Sequence, residues 1–368
     1  MTETAEDILT RKGSGGPTAG SLPPEGVDGL PPQNYSDPDV LQRERAKVFA
    51  PGWHYLGHTG QLDACNRIIG QAGQTPVVVT KDKDGVLRAF LNVCRHRWHP
   101  VVETSGNGRM LQCGYHSWTY RLDGTLAGAP GTHGDSSFDK AKFGLQPVQL
   151  ETIGPWIFVN AEPSADSMWS GLADCAQFVE NIQRRSAGYV FTGRSEYVVK
   201  ANWKLFIDNT AECYHCSSIH ADSISQCFMT DRDNYDVRSY RNAWTQHGPA
   251  IEQPAELGGE PAQGLDFMML FPSNFMGVDD VVSFCGTALP ISADETRLMF
   301  DSFRNPIMSD ETVERRGEMY DVTFREDLEA ISKIQPSMHL AQTPISRLLP
   351  ATEHQVIGYQ QRLREAMQ

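Results

Sequence analysis

The sequence predicts an α+β protein in two main parts: a small antiparallel β domain, then a larger α+β domain with an antiparallel sheet flanked by helices. Three observations lead there. The chain has 368 residues, more than one small core organises, so length calls for two or three domains. From about residue 50 to about 160, short apolar runs alternate with Gly-containing turns. Beyond 161, strand-like runs mix with segments of helical spacing.

The elements follow in chain order. Residues 1 to about 35 are rich in Gly, Pro, Ser and Thr and read as an extended arm. A short helix is expected at Asp39–Val48, opened by Pro38. Arm and helix together, residues 1–44, are expected to pack on the second domain. In the β domain, taken as 45–160, Val77–Val79 and Val86–Val93 flank Asp84-Gly85, and Met110–Cys113 and Thr119–Leu126 repeat the style with a turn at Asp123-Gly124. Asp-Gly between apolar runs signals a hairpin because both residues tolerate positive φ. Trp156–Asn160 reads as a further strand. In the second domain, 161–368, Trp203–His215 reads as helix, and Phe267–Phe271, Val281–Cys285 and Arg297–Phe303 as strands. Glu311–Met319, Asp327–Ile334 and His354–Met367 read as helices.

Composition excludes several classes. Hydrophobic residues make up 40% and charged residues 21%, ordinary for a globular enzyme. The net charge of −14 argues against a nucleic-acid partner, which needs clustered Lys and Arg. No apolar window approaches the roughly 18 residues of a membrane span, and no basic start with an apolar run marks a secretory signal. The eight cysteines are too sparse for a disulfide scaffold. A cytoplasmic protein with some metal-binding cysteines is the expectation.

The β domain holds Cys94-Arg95-His96, then 16 residues, then Cys113-Gly114-Tyr115-His116. A Rieske cluster needs two thiolates on one iron and two imidazoles on the other, and each loop here supplies one of each. Zinc is the competing reading, but zinc fingers pair like with like, as C-x₂₋₄-C and H-x₃₋₅-H. His99 falls outside the pattern and reads as a surface or packing residue. Ring-hydroxylating oxygenase α subunits usually carry C-x-H-R-G and C-P-Y-H-x-W, and this region resembles their Rieske domain. Trp98 stands where that pattern has glycine, and Gly114 where it has proline; neither change removes a ligand. Trp98 puts the usual turn in question and suggests packing against a neighbouring subunit.

A second constellation runs Asn202-Trp203-Lys204, Asp208-Asn209-Thr210-Ala211-Glu212-Cys213-Tyr214-His215, then His220. A non-haem Fe(II) site needs two His and a carboxylate on one face of the metal. His215 and His220 are the candidate histidines. Five residues is about 140° around a helix, so a break between them is expected, with Ser217-Ser218 as its place. Asn209, Glu212 and His215 recur every third residue and are expected to share a helix face beside the metal. Cys213 and Cys216 could form a redox or zinc half-site, but packing is the expected role.

The N-W-K…E-C-Y-H-C…H run most resembles the branch that oxidises quaternary amines, including carnitine, glycine-betaine and choline oxygenases. The resemblance spans nearly the whole chain after residue 35. It implies a Rieske [2Fe-2S] cluster on Cys94, His96, Cys113 and His116, and mononuclear Fe(II) on His215, His220 and a carboxylate from an acidic pair opening a late helix. Asp327 of Glu326-Asp327 is the choice and Asp321 the runner-up. It also implies a ring of three chains, with Glu212 carrying the contact between the metal sites of neighbouring subunits. The activity so implied is hydroxylation or oxidative dealkylation of a small organic substrate with O₂. No nicotinamide fingerprint or ferredoxin cysteine run is present, so electrons must come from a separate flavin-containing NAD(P)H reductase or a ferredoxin. An aromatic-acid hydroxylase or dioxygenase is the alternative within the family, and a Rieske electron carrier the alternative outside it. Phe267, Phe271, Phe275, Phe284 and Trp244 are available for a cation–π cage.

Overall fold

The computed structural model describes residues 26–231 and 233–368. Most of the expected N-terminal arm therefore lies outside the described residues. The chain divides into two compact units. One is Gln42–Gly171; the other joins the segment ending at Leu41 to Leu172–Gln368. The expected first helix forms at Pro38–Glu44 and continues as a π-helical turn, Arg45–Phe49.

The smaller unit is built on a six-stranded antiparallel sheet. Its order is His54–His58, Trp156–Asn160, Pro147–Ile153, Leu87–Leu91, Thr75–Lys81, Arg67–Ala72. Val77, Val78 and Val79 are all fully buried. Val78 packs with Cys94 and Cys113, whereas Val77 and Val79 pack with Leu56, Leu62 and Ile157. Alternate side chains leave a strand on opposite faces, so an unbroken apolar run marks a strand covered on both. A separate three-stranded sheet comprises Leu111–Gln112, Thr119–Tyr120 and Leu126–Gly128. Both Asp-Gly turns form with the glycine at positive φ, +80° at Gly85 and +84° at Gly124. The strands His54–His58, Arg67–Ala72 and Pro147–Ile153 were not expected, because His, Arg, Gln and Glu interrupt their apolar residues.

The larger unit has a seven-stranded antiparallel sheet ordered Val190–Val199, Thr296–Arg304, Val282–Pro290, Asn274–Val278, Leu265–Leu270, Ala243–Gly248, Asp236–Ser239. Three of these correspond to the expected strands, shifted by a few residues. Two helices, expected at Glu311–Met319 and Asp327–Ile334, are one 25-residue helix, Asp310–Ile334. The intervening Val322 and Thr323 are weak helix formers, but no Gly or Pro stands there to stop the helix. Ser309 caps its start, with Oγ accepting from Thr312 N at 3.2 Å. Arg316 and Tyr320 fasten this helix to the sheet through Asp279, at 2.7 and 2.8 Å. The Trp203 helix is shorter than expected and ends at Thr210, while the C-terminal helix occupies His354–Met367 as expected. Among the described residues no helix is long and apolar enough to cross a membrane.

A Cβ on Gly124 would lie 2.4 Å from the Phe90 ring, whereas one on Gly85 would meet nothing within 4 Å. Both sites carry left-handed strain of roughly 1–2 kcal/mol for an alanine; only Gly124 adds overpacking of about 1–3 kcal/mol. Gly124→Ala is expected to lower the calorimetric melting temperature of the smaller unit clearly more than Gly85→Ala. Equal shifts would refute the packing argument.

Candidate functional site

The two Cys/His loops lie side by side in the smaller unit. Cys94 and Cys113 are buried, whereas His96 is exposed and His116 half-buried. The two imidazole centroids are 4.5 Å apart, and His96 stacks on Trp118 at 5.0 Å and 6°. Each loop closes with the same bond: Trp98 N donates to Cys94 O, and Ser117 N to Cys113 O, both at 3.1 Å. Closure puts Trp98 at φ +59° and Ser117 at +58°. The turn that a glycine would make is therefore kept despite the indole, which is 81% exposed. Tyr120, which sequence reasoning missed, accepts from Arg95 N at 3.0 Å and lies 3.3 Å from Cys94 Sγ. Burial, partly offset by backbone N–H groups of Tyr115 and His116, pushes the Cys113 thiol up. A cation is what would hold such a buried sulfur as a thiolate. Two sulfurs inside and two imidazoles outside fit a [2Fe-2S] cluster with unlike irons. His99 lies beside the loops, with Nδ1 3.8 Å from Cys113 Sγ.

In the larger unit His215, His220 and Asp327 come together, with candidate ligand atoms all within 4.8 Å of one another. The route differs from the expected one. Because the Trp203 helix stops at Thr210, Glu212 and His215 do not share its face. The chain instead turns, and His215 and His220 flank a one-turn helix, Cys216–Ile219. The break lies before His215 rather than at Ser217-Ser218. Glu212 folds back on the turn, accepting from the backbone N–H groups of Tyr214 and His215 and contacting His215 Nδ1. Asn209 Nδ2 reaches His215 Nε2 at 3.2 Å.

Glu326, the neighbour of Asp327, was missed as a participant; the acidic pair itself was the signal. Its carboxylate lies 2.8 Å from His220 Nδ1 and accepts from Ser223 Oγ at 2.7 Å. With both Nδ1 atoms on carboxylates, both Nε2 atoms face Asp327, His220 at 3.0 Å and His215 at 3.3 Å. A carboxylate behind each imidazole is the usual way to fix a ligand's tautomer and orientation. Asp321, the runner-up, is not in the cluster; it pairs with Arg325 and accepts from Tyr197 Oη at 3.2 Å. Cys213 and Cys216 correct another expectation. Rather than packing separately, their sulfurs are bonded, the turn having brought their Cα atoms to 5.0 Å.

The electrostatics match a cation site. Burial alone would depress the His215 pKa, but Asp327 and Glu212 outweigh it and raise the value to about 9. Burial would raise Asp327, yet its bonds to His215 and His220 hold it below the usual carboxylate range.

A cavity of about 410 Å³ opens from this cluster. Phe267, Phe275 and Phe284 line it, as do Phe206, Phe300 and Phe324, which were not anticipated. Phe271 and Trp244 do not line it. They pack on Tyr359 of the C-terminal helix, at 5.9 and 4.9 Å.

Residues 52–145 match the Rieske [2Fe-2S] domain, and residues 187–368 the catalytic domain of ring-hydroxylating α subunits. The chain belongs to the Rieske non-haem iron oxygenases. The carnitine monooxygenase oxygenase subunit of Escherichia coli K12 is 29% identical over 326 residues, 84% of each chain. The glycine betaine monooxygenase oxygenase subunit of Chromohalobacter salexigens is 34% identical over 220 residues, 58% of this chain and 48% of that one. The quaternary ammonium Rieske monooxygenase CntA in complex with L-carnitine superposes with a TM-score of 0.80 at 25% identity, over 95% of this chain and all of that one. Naphthalene 1,2-dioxygenase from Rhodococcus sp. has the same fold, with a TM-score of 0.78 at 20% identity over 92% of this chain and 94% of that one. This Rieske oxygenase thus takes a [2Fe-2S] cluster and a mononuclear iron as cofactors. Two iron-bearing units exceed what an electron carrier needs.

Cys94→Ser or His116→Cys is expected to abolish the electron-paramagnetic signature of the reduced cluster while leaving iron in the second unit; an unchanged spectrum would reassign the ligands. In the second unit His220→Ala or Asp327→Ala is expected to lose mononuclear iron with the cluster spectrum intact, and Glu326→Gln to weaken iron binding about 10-fold. Because the His215 pKa is raised from 6.5 to about 9, its proton stabilises the metal-free protein fully below pH 6.5. That contribution is lost as pH rises through 9. Metal binding must displace the proton, so Fe(II) affinity is expected to climb between pH 6.5 and 9, with proton release measurable by calorimetry in buffers of different ionisation heat. A pH-independent affinity would contradict the assignment of His215.

Proposed function

We propose that this chain is the oxygenase component that hydroxylates or oxidatively dealkylates a quaternary ammonium compound. Cys94, His96, Cys113 and His116 hold the cluster, and His215, His220 and Asp327 hold the mononuclear iron. The observation that carries the reading is the convergence of this His/His/Asp set at a cavity walled by phenylalanine rings. Aromatic faces attract a desolvated ammonium by roughly 0.5–2 kcal/mol each, and they exclude water from the reacting carbon. The names of the similar proteins, carnitine and glycine betaine monooxygenase oxygenase subunits, support the same substrate class.

The chemistry the two groups supply when bound is one-electron transfer and reductive activation of dioxygen. The protein's part is positioning. Glu212 and Glu326 hold His215 and His220 by Nδ1, turning both Nε2 atoms toward Asp327, where a metal would sit. Asn209 stands beside His215 and limits its swing. Electrons come from a separate flavin-containing NAD(P)H reductase, directly or through a ferredoxin, and three chains form a ring in which Glu212 links metal sites of neighbouring subunits. The exposed Trp98 and Tyr115 beside the cluster histidines suit such a contact.

Purified protein with a surrogate reductase and O₂ is to be screened against choline, betaines, carnitine and aromatic acids, reading oxidised product and formaldehyde. Turnover of an ammonium substrate is expected; turnover of aromatic acids alone would replace this reading by the aromatic one. At saturating Fe(II), Glu212→Gln is expected to keep both metals and a reducible cluster yet cut product formation at least 10-fold. Near wild-type turnover would remove Glu212 from the electron route.

A further inference from the structure

The bonded pair Cys213–Cys216 brackets His215. Both cysteines line the cavity of the metal cluster. Cys216 is buried and Cys213 half-buried, so one sulfur is open to a small reagent and the other is shielded. The remaining six cysteines are unbonded. We propose that Cys213 and Cys216 form a redox-modification site, closed by peroxide and opened by a thiol reductant, whose link determines how firmly His215 is held. The inference rests on His215 being a metal ligand.

Little regular structure flanks this turn. The preceding helix ends at Thr210 and the following one spans only Cys216–Ile219. One helical turn has almost no stability of its own, because nucleation costs more than a single turn returns. The backbone bond across the turn, Cys216 N to Cys213 O, is long at 3.3 Å. Glu212 adds a hold through the N–H groups of Tyr214 and His215, the His215 carbonyl accepts from Ser218 N and Ile219 N, and Asn209 and Asp327 reach the imidazole at 3.2 and 3.3 Å. The disulfide is the covalent part of this hold. Closing a ring of four residues restricts the open turn by at most about 20-fold on chain-entropy grounds.

The chemistry balances. Dioxygen reduced by two electrons without substrate oxidation leaves as hydrogen peroxide, and the cavity is where dioxygen is reduced. One thiolate attacks a peroxide oxygen, giving a sulfenic acid and water. The second thiol attacks that sulfur, forming the disulfide and releasing a second water, so two thiols and one peroxide give one disulfide and two waters. A dithiol reductant reverses the link by exchange: its own sulfurs end as a disulfide and both cysteines regain their protons.

The test uses the iron-loaded full chain. One portion is reduced with a phosphine and another treated with equimolar peroxide. Both are alkylated in denaturant, so that the buried Cys216 is reached, and mapped by mass spectrometry, while iron release from the native protein to a chelator is timed in parallel. Alkylation of Cys213 and Cys216 in the reduced portion is expected, with joint protection and a linked peptide 2 Da lighter after peroxide. Iron release is expected to be about 10-fold faster from the reduced portion. The double variant Cys213→Ser/Cys216→Ser is expected to release iron at the reduced rate whether or not peroxide is added. Independent alkylation of the two cysteines after peroxide would overturn the proposal. So would release rates agreeing within twofold between the reduced and oxidised wild-type portions, a comparison that does not depend on the variant folding. Iron binding that survives His215→Ala would instead defeat the metal-ligand reading beneath it.

Discussion

The larger unit is organised around one carboxylate. Asp327 Oδ1 lies within 3.3 Å of the Nε2 atoms of both His215 and His220, from a helix more than a hundred residues later in the chain. Three like-oriented polar groups at that distance are costly unless something pairs them. Here protons pair them when no metal is bound, which is why His215 is raised and Asp327 lowered. A divalent cation supplies the same pairing with stronger charge. The site is built to be satisfied by a positive centre.

For Asp327 to stand there, a 25-residue helix must be fixed along its length. The hold combines apolar packing, of Val313 and Tyr320 against Val281 and Val282 and of Phe324 against Phe206 and Phe300, with buried polar contacts. Arg316 meets Asp279 and Glu252, and Tyr320 adds a bond to Asp279. Asp279 has no exposed side-chain surface and Arg316 little. Breaking such a buried pair from one side costs about 3–5 kcal/mol, because it strands a charge. These contacts fix the rotation of the helix about its axis, and so which acidic side chain points at the histidines. Farther along, Gln335 donates to Asp294 at 2.6 Å and accepts from Asn202 N at 2.7 Å, tying the end of the same helix to the start of the Trp203 helix.

The smaller unit solves a different problem. Its two loops are local, each closed by a backbone bond over four residues, and each delivers a buried sulfur and an outward imidazole. Trp98 accepts a left-handed backbone that costs a non-glycine residue about 1–2 kcal/mol. The folded unit gains little from an indole left in water.

That the two Cys/His loops lie side by side was legible in the sequence because both candidate ligands of each loop sit within four residues, and local spacing fixes local geometry. The α+β class, the apolar strand around Val78 and the C-terminal helix were legible for the same reason: their signal repeats along the chain. The two histidines were legible as residues, but the turn that presents them was not, since a helix-like run from Trp203 to His215 does not show where tertiary packing stops the helix. The choice of Asp327 over Asp321 lay beyond spacing alone. Six residues on a helix differ by about 240°, and only the docked rotation decides which faces the histidines. The cavity wall was decided in the same way. Phe267, Met269 and Phe271 share a sheet face by alternation, but the C-terminal helix covers the end with Phe271 and Trp244 and leaves the Phe267 end open. Sequence thus determined which atoms could bind metal, because ligand chemistry resides in residue type and near spacing. Tertiary structure decided which of them meet, because that depends on rotations and coverings set by contacts a hundred residues apart.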